Sequence, residues 1–162
     1  GTTSGGFDQL GYTTLTCSMT AGAPIGNGTY RIRNQVSGRY LDNLGYTTNG
    51  APVSQWDGGG SSNQKWVVTF SGGYYTLACV TGGKLLDRRG HTGNGSTGGE
   101  VQSSGSSNQK WTIASTSSGS YFKIINHANG LCLDTGGNNG NGATMQMWGS
   151  GSSGNQLWQF VP

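Results

Sequence analysis

One pattern recurs three times along the chain, and it limits the fold more than any other feature. Gln64-Lys65-Trp66, Gln109-Lys110-Trp111 and Gln156-Leu157-Trp158 each follow an asparagine: Asn63, Asn108 and Asn155. Upstream of each stands a Leu-Asp pair, Leu41-Asp42, Leu86-Asp87 and Leu133-Asp134. The step from Asp42 to Trp66 recurs from Asp87 to Trp111 and from Asp134 to Trp158 without insertion. Aromatic residues precede each Asp in register (Tyr30, Tyr75, Phe122), followed two residues later by Ile32, Leu77 and Ile124. Gly38, Gly83 and Gly130 also coincide. Repeats at a fixed period mean one supersecondary unit copied, with the copies sharing a core that none can bury alone.

Within a unit, apolar and polar residues alternate, which is the strand period. In the first unit this predicts strands at Tyr30–Ile32, from Leu41, at Val53–Trp56 and at Trp66–Phe70. The Asn-Gly pairs at 49–50, 94–95 and 141–142 predict tight hairpins. Four strands in each of three units give twelve short strands, and closure into a barrel removes their edges. With 32 glycines and 9% charged residues the chain resembles a low-complexity one. Its five Trp, seven Tyr and four Phe supply the buried area that a disordered chain lacks. Trp66, Trp111 and Trp158 are assigned to that core, because Val68, Ile113 and Phe160 two residues on are apolar.

Three Gln-x-Trp motifs in register with three Leu-Asp motifs resemble the ricin B-type β-trefoil, the family 13 carbohydrate-binding modules. The resemblance covers residues 28–162, read as repeats 28–70, 71–115 and 119–162. It implies an all-β β-trefoil and a sugar pocket in each unit. A pyranose offers one face of C–H groups and a rim of hydroxyls. Binding it takes a flat aromatic for the face and charge-assisted acceptors with amides for the rim. The third unit holds the complete set, Asp134, Gln146, Trp148, Asn155 and Gln156, with Gln146 and Trp148 on one face of a strand and Met145 and Met147 toward the core. The first holds Asp42, Trp56, Asn63 and Gln64, with Ser54 in place of Gln146 and Tyr46 as an added aromatic. The second keeps Asp87, Asn108 and Gln109, but Val101, or Gln102 one residue on, stands where a Trp is needed. His91 is the substitute its loop offers. Three other readings stay open here. The Gln residues can brace the backbone instead of touching sugar, and the Asp residues can brace the turns that follow them. Trp56 and Trp148 can equally be core.

The nine basic residues are scattered rather than gathered into the stripe that nucleic acid needs, so no nucleic-acid partner is expected. No apolar run reaches the roughly 20 residues of a membrane span, so no membrane partner is expected either. Three of the six acids, Asp42, Asp87 and Asp134, are tied to repeat positions. Glycoside hydrolysis wants an asymmetric carboxylate pair, whereas binding tolerates triplication. No Gly-x-Ser-x-Gly elbow or phosphate loop is present. The expectation is therefore a non-catalytic domain, with no cofactor and no metal. The resemblance implies a plant cell-wall polysaccharide ligand (xylan, arabinan or galactan type), a covalently linked catalytic glycoside hydrolase domain and secretion. The reading from a different class is a β-trefoil that binds or inhibits a protein. Residues 1–27 read as a linker or N-terminal extension with one extra strand at Tyr12–Cys17, and no signal peptide is visible in it. Members of the family often tie the residue before Leu-Asp to a later cysteine. Here Tyr40, Leu85 and Cys132 hold those positions and Cys132 lacks its partner, which leaves Cys17 with Cys79 as a pairing the spacing leaves open.

Overall fold

The structure is a computed structural model that describes residues 23–90 and 93–162. The expected strand at Tyr12–Cys17, Cys17 itself and His91 lie outside the described residues. Six strands close a barrel: β1 (Gly28–Asn34), β5 (Trp66–Ser71), β6 (Tyr74–Cys79), β9 (Trp111–Ser115), β10 (Phe122–Asn126) and β13 (Trp158–Val161). Each pairs antiparallel with the next, and β13 returns to β1 through Ile32 opposite Phe160. Closure leaves no barrel edge open. Three hairpins cap it: β2 (Tyr40–Asp42) with β4 (Ser54–Trp56), β7 (Leu85–Asp87) with β8 (Gly99–Val101), and β11 (Cys132–Asp134) with β12 (Gln146–Trp148). This is the β-trefoil. Among the described residues it has thirteen strands rather than twelve, because β3 (Ala51–Pro52) separates from β4 at Val53 and pairs with β8 of the next unit.

The alternation of the sequence becomes the wall of the core. Ile32, Val68, Leu77, Ile113 and Ile124 point inward from the barrel strands, while Leu41, Leu86 and Leu133 close it from the hairpins. Met145 and Met147 join them. Trp66, Trp111 and Trp158 are fully buried. Burying a side chain of this size contributes roughly 5 kcal/mol of gross hydrophobic free energy. Each indole N–H needs an acceptor in that dry interior and finds the carbonyl of its own unit's leucine, Leu41, Leu86 or Leu133, at 3.0–3.1 Å. The repeated Leu-Asp and Gln-x-Trp motifs are thus tied together by one hydrogen bond per unit. Tyr75 reaches out of the core to residue 25, donating to the Ile25 carbonyl at 2.6 Å and accepting its N–H at 3.0 Å.

The Asn-Gly turns depart from expectation. They do not close two-residue hairpins; each sits inside the longer loop between the hairpin strands and turns it toward the neighbouring unit. Gly50, Gly95 and Gly142 all have φ of +84°, a conformation glycine adopts without penalty. Their N–H groups donate across unit boundaries to the carbonyls of Glu100, Met147 and Gln55, at 2.7–2.8 Å. Among the described residues no helix is long and apolar enough to cross a membrane.

Candidate functional site

Each hairpin places the Asp at the end of its first strand opposite a fixed partner: Asp42 faces Ser54, Asp87 faces Gly99 and Asp134 faces Gln146. The same register puts Val101 in the place of Trp56 and Trp148, so the second unit lacks a stacking face. All three Asp are buried. One oxygen of each accepts the backbone N–H two residues on, from Leu44 (2.6 Å), Arg89 (2.5 Å) and Gly136 (2.6 Å). These Asx turns drive the next backbone step into the left-handed region, with φ of 58° at Leu44, 59° at Arg89 and 71° at Gly136. The turn-bracing role of the Asp residues is therefore real, and it occupies one carboxylate oxygen of two.

The glutamines resolve on the structural side. Gln64, Gln109 and Gln156 lie under the surface, on the inner side of one-turn 3-10 helices spanning Ser62–Gln64, Ser107–Gln109 and Gly154–Gln156. Gln156 donates to Asp134 Oδ2 (3.0 Å) and to the Gly149 carbonyl (2.8 Å), and accepts from the Gly151 N–H (2.9 Å). Gln64 repeats this with Asp42 Oδ2 (2.9 Å), the Asp57 carbonyl (2.7 Å) and the Gly59 N–H (3.2 Å). Gln109 braces its loop through the Gln102 carbonyl and the Ser104 N–H, and no bond from it to Asp87 is found. With donors and acceptor spent, these side chains hold the Asp and the loop in place.

The asparagines do the opposite. The Asn155 carbonyl is pinned by the Thr135 N–H (3.3 Å) and by Asn34 of the first unit (3.0 Å). Asn126 holds the Asn108 carbonyl in the same way, and the Cys79 thiol that of Asn63. The backbone is fixed, yet among the described residues the side-chain amides of Asn63 and Asn155 have no protein partner. They border cavities of about 450 Å³ and 560 Å³ in the first and third units. Into these cavities project Trp56 and Trp148, 44% and 45% exposed, which excludes them from the core. Each ring rests on a neighbour: a Cβ added at Gly142 would meet Trp56, and one at Gly95 would meet Trp148, at 3.6 Å. The asparagine before each of these glycines caps the strand beyond the ring. Asn141 accepts the Asp57 N–H (2.8 Å) and Asn94 the Gly149 N–H (2.9 Å). Each platform is therefore steadied by the adjacent unit. These asparagines were legible only as turn residues, although their identical offset from each Asp was a signal that they had more to do.

The floor of each site follows a size rule. Where the residue closing the Asx turn is large, the residue facing the Asp is small: Leu44 with Ser54, and Arg89 with Gly99. Where it is small, the partner is large: Gly136 with Gln146. A Cβ on Gly136 would lie 2.8 Å from the Gln146 amide, and one on Gly99 would lie 2.4 Å from Arg89. The first and third cavities therefore differ chemically, with Leu44 lining one and Gln146 the other. Arg89 spends its guanidinium on the Gly50 carbonyl (2.6 Å) and on Thr97. Asp87, Asn108 and Gln109 occupy their expected places in the second unit, without an aromatic beside them.

Two residues of the first site were missed and one was misplaced. Leu44 and Asp57 line its cavity. Tyr46 does not; it stands 54% exposed, because the Asx turn carries the loop away from the pocket. Asp57 is held at the rim by Arg39, at 3.2 Å, and by Asn141. Two carboxylates thus border one cavity: Asp42 has both oxygens hydrogen-bonded, and Asp57 is ion-paired with Arg39. Among the described residues no group of three or more potential metal ligands gathers. Cys79 and Cys132 are free buried thiols, and the Cys17 end of the pairing left open lies outside the described residues. Burial pushes the Cys79 thiol up to about 12 and raises that of Cys132.

A family model described as ricin-type beta-trefoil lectin domain-like matches residues 18–103 and 107–162. Among solved structures, the designed three-fold symmetric protein ThreeFoil is 29% identical, with 84% of this chain and 99% of that one covered at a TM-score of 0.80. The exo-β-1,3-galactanase 1,3Gal43A of Clostridium thermocellum is 30% identical at a TM-score of 0.78. There the match covers 85% of this chain but 30% of the galactanase. The ricin B-like lectin of Macrolepiota procera, solved with lactose, is 21% identical over 85% of this chain and 96% of its own, at a TM-score of 0.73, and shares the fold. A search of curated protein sequences returned no match.

Proposed function

The chain belongs to the ricin-type β-trefoil lectin domain-like family, and from that premise we propose that it is a non-catalytic carbohydrate-binding module. Its first and third units bind sugar, and its role is to hold a covalently linked, secreted glycoside hydrolase on plant cell-wall polysaccharide of the xylan, arabinan or galactan type. One observation carries this reading. Twice, a half-exposed Trp stands over a cavity bordered by a buried Asp and by an Asn whose amide has no partner among the described residues.

The chemistry suits a pyranose. The indole takes the C–H face, the Asp accepts from hydroxyls through its remaining lone pairs, and the Asn amide both donates and accepts. The bracing by Gln and by the neighbouring unit sets these groups before the ligand arrives, which lowers the ordering cost of binding. A single shallow site is weak, and two on one domain raise retention on a polymer through effective concentration. The likeness to part of a galactanase supports the pairing with a hydrolase and the inclusion of galactan among the candidates. The second unit, with Val101 and Arg89, is assigned a structural role.

Calorimetric titration against galactose, arabinose, xylose oligomers and β-1,3-galactan oligomers tests the proposal. Saturable binding of one of them at two sites per chain supports it. Loss of one site in Trp148→Ala and of the other in Trp56→Ala assigns them. No binding across the panel by the folded domain would overturn it and favour a protein partner.

A further inference from the structure

A second cavity, of about 550 Å³, opens beside the third site and is lined by Ser115, Thr116, Ser117, Ser118, Lys123 and Leu157 together with Ser150, Gly151 and Ser152. The last three residues also line the Trp148 cavity, so the two hollows are separated by one shared wall. Lys123 braces that wall by donating to Ser150 Oγ and to the Gly151 carbonyl, both at 2.7 Å. The opposite side is the turn between β9 and β10, held by the Thr116 hydroxyl on the Tyr121 carbonyl (2.7 Å) and by the Gly119 N–H on the Thr116 carbonyl (3.2 Å). The trough is preformed, lined with hydroxyls and has a small apolar floor at Leu157.

The first unit shows that this continuity is specific. Its equivalent hollow, between Arg31, Lys65 and Pro162, is about 320 Å³ and shares no residue with the Trp56 cavity. There Tyr40 stands where Cys132 stands in the third unit. Its ring lies under the Arg31 guanidinium at 4.5 Å and crowds Gly58, whose added Cβ would be 2.8 Å away. The small Cys132 side chain leaves that space open.

We propose that the trough is a second saccharide subsite, taking the sugar next to the one on Trp148. The third site then binds an oligosaccharide of two or more units across the Ser150–Ser152 wall, while the first binds a single unit. This inference rests on the carbohydrate-binding reading above. The hydroxyls of Ser117 and Ser118 and the remaining N–H of Lys123 meet the second ring's hydroxyls, and Leu157 meets part of its C–H surface.

The test uses the Trp56→Ala chain, in which the first site is silenced. It is titrated with galactose, xylose and arabinose, and with the β-1,3-linked galactose and β-1,4-linked xylose dimers and trimers. For whichever sugar binds, the dimer is expected to bind roughly five- to tenfold more tightly than the monomer, the gain from one or two net hydrogen bonds. Ser117→Leu, at an exposed turn position, fills the trough without offering a flat face. It should abolish the gain and leave monosaccharide affinity unchanged. Equal affinity for monomer and oligomers, or a gain that survives Ser117→Leu, overturns the subsite while leaving the module reading intact. Absence of all binding in this chain overturns the subsite, and absence in the unsubstituted chain as well overturns both.

Discussion

Replacing Gln156 with Leu separates bracing from ligand contact. Gln156 is 2% exposed and makes three hydrogen bonds, to Asp134 Oδ2, the Gly149 carbonyl and the Gly151 N–H. Leucine has similar bulk, so no large cavity term enters, but all three partners lose their bond. The bond to the carboxylate is worth about 2 kcal/mol and each of the other two about 1, which sums to roughly 4 kcal/mol of lost stability. At ~2–4 °C per kcal/mol for a chain of this size, the melting temperature falls by about 10 °C. Urea unfolding followed by tryptophan fluorescence measures this as a lower midpoint at constant slope. Asn155→Ala is the contrast. It removes an amide with no protein partner among the described residues, so it should cost less than ~1 kcal/mol of stability yet weaken third-site binding by at least about tenfold. If Gln156→Leu costs less than ~1 kcal/mol while sugar binding disappears, the glutamine reads the ligand and the bracing argument is wrong.

Three further outcomes follow from the same geometry. Gly136→Ala puts a Cβ into a left-handed turn and within 2.8 Å of the Gln146 amide. It should destabilise by about 1 kcal/mol or more and weaken the third site but not the first, as titration of the Trp56→Ala and Trp148→Ala backgrounds would show. Glu100 is buried where the equivalent residue of the first unit is Gln55, and burial raises its carboxyl pKa, with Asn43 and Lys84 pulling it part of the way back. A folded-state pKa above the unfolded one means the folded form is favoured at low pH and loses that advantage as pH rises through the raised value. Glu100→Gln should therefore stabilise at neutral pH and show no benefit near pH 4; a pH-independent difference in unfolding midpoint would refute this. The buried thiols of Cys79 and Cys132, both raised by burial, should resist a thiol reagent at pH 8 in a Cys17→Ser chain and react only on unfolding. Labelling of either in the native protein would contradict the packing.

The three-fold plan, the inward-facing residues and the Asp, Trp and Asn that border the two cavities can be read from the chain alone. Strand alternation reports which side chains face water, and that depends only on the local pleat. Three copies in register then identify buried Trp66, Trp111 and Trp158 and place Asp42, Asp87 and Asp134 in equivalent positions, whereas the exposure of Trp56 and Trp148 emerged only from the fold. Only the tertiary structure decided what these residues touch. It assigned the glutamines to bracing, turned Tyr46 away, and brought Leu44 and Asp57 to the first cavity. It also carried each Asn-Gly turn to the neighbouring unit. The choice of Leu44 with Ser54, Arg89 with Gly99 and Gly136 with Gln146 reads as unrelated substitutions along the chain and becomes one packing rule across a strand pair. Such partners are far apart in sequence, and their distance is set by closure of the six-stranded ring. No local periodicity encodes that closure.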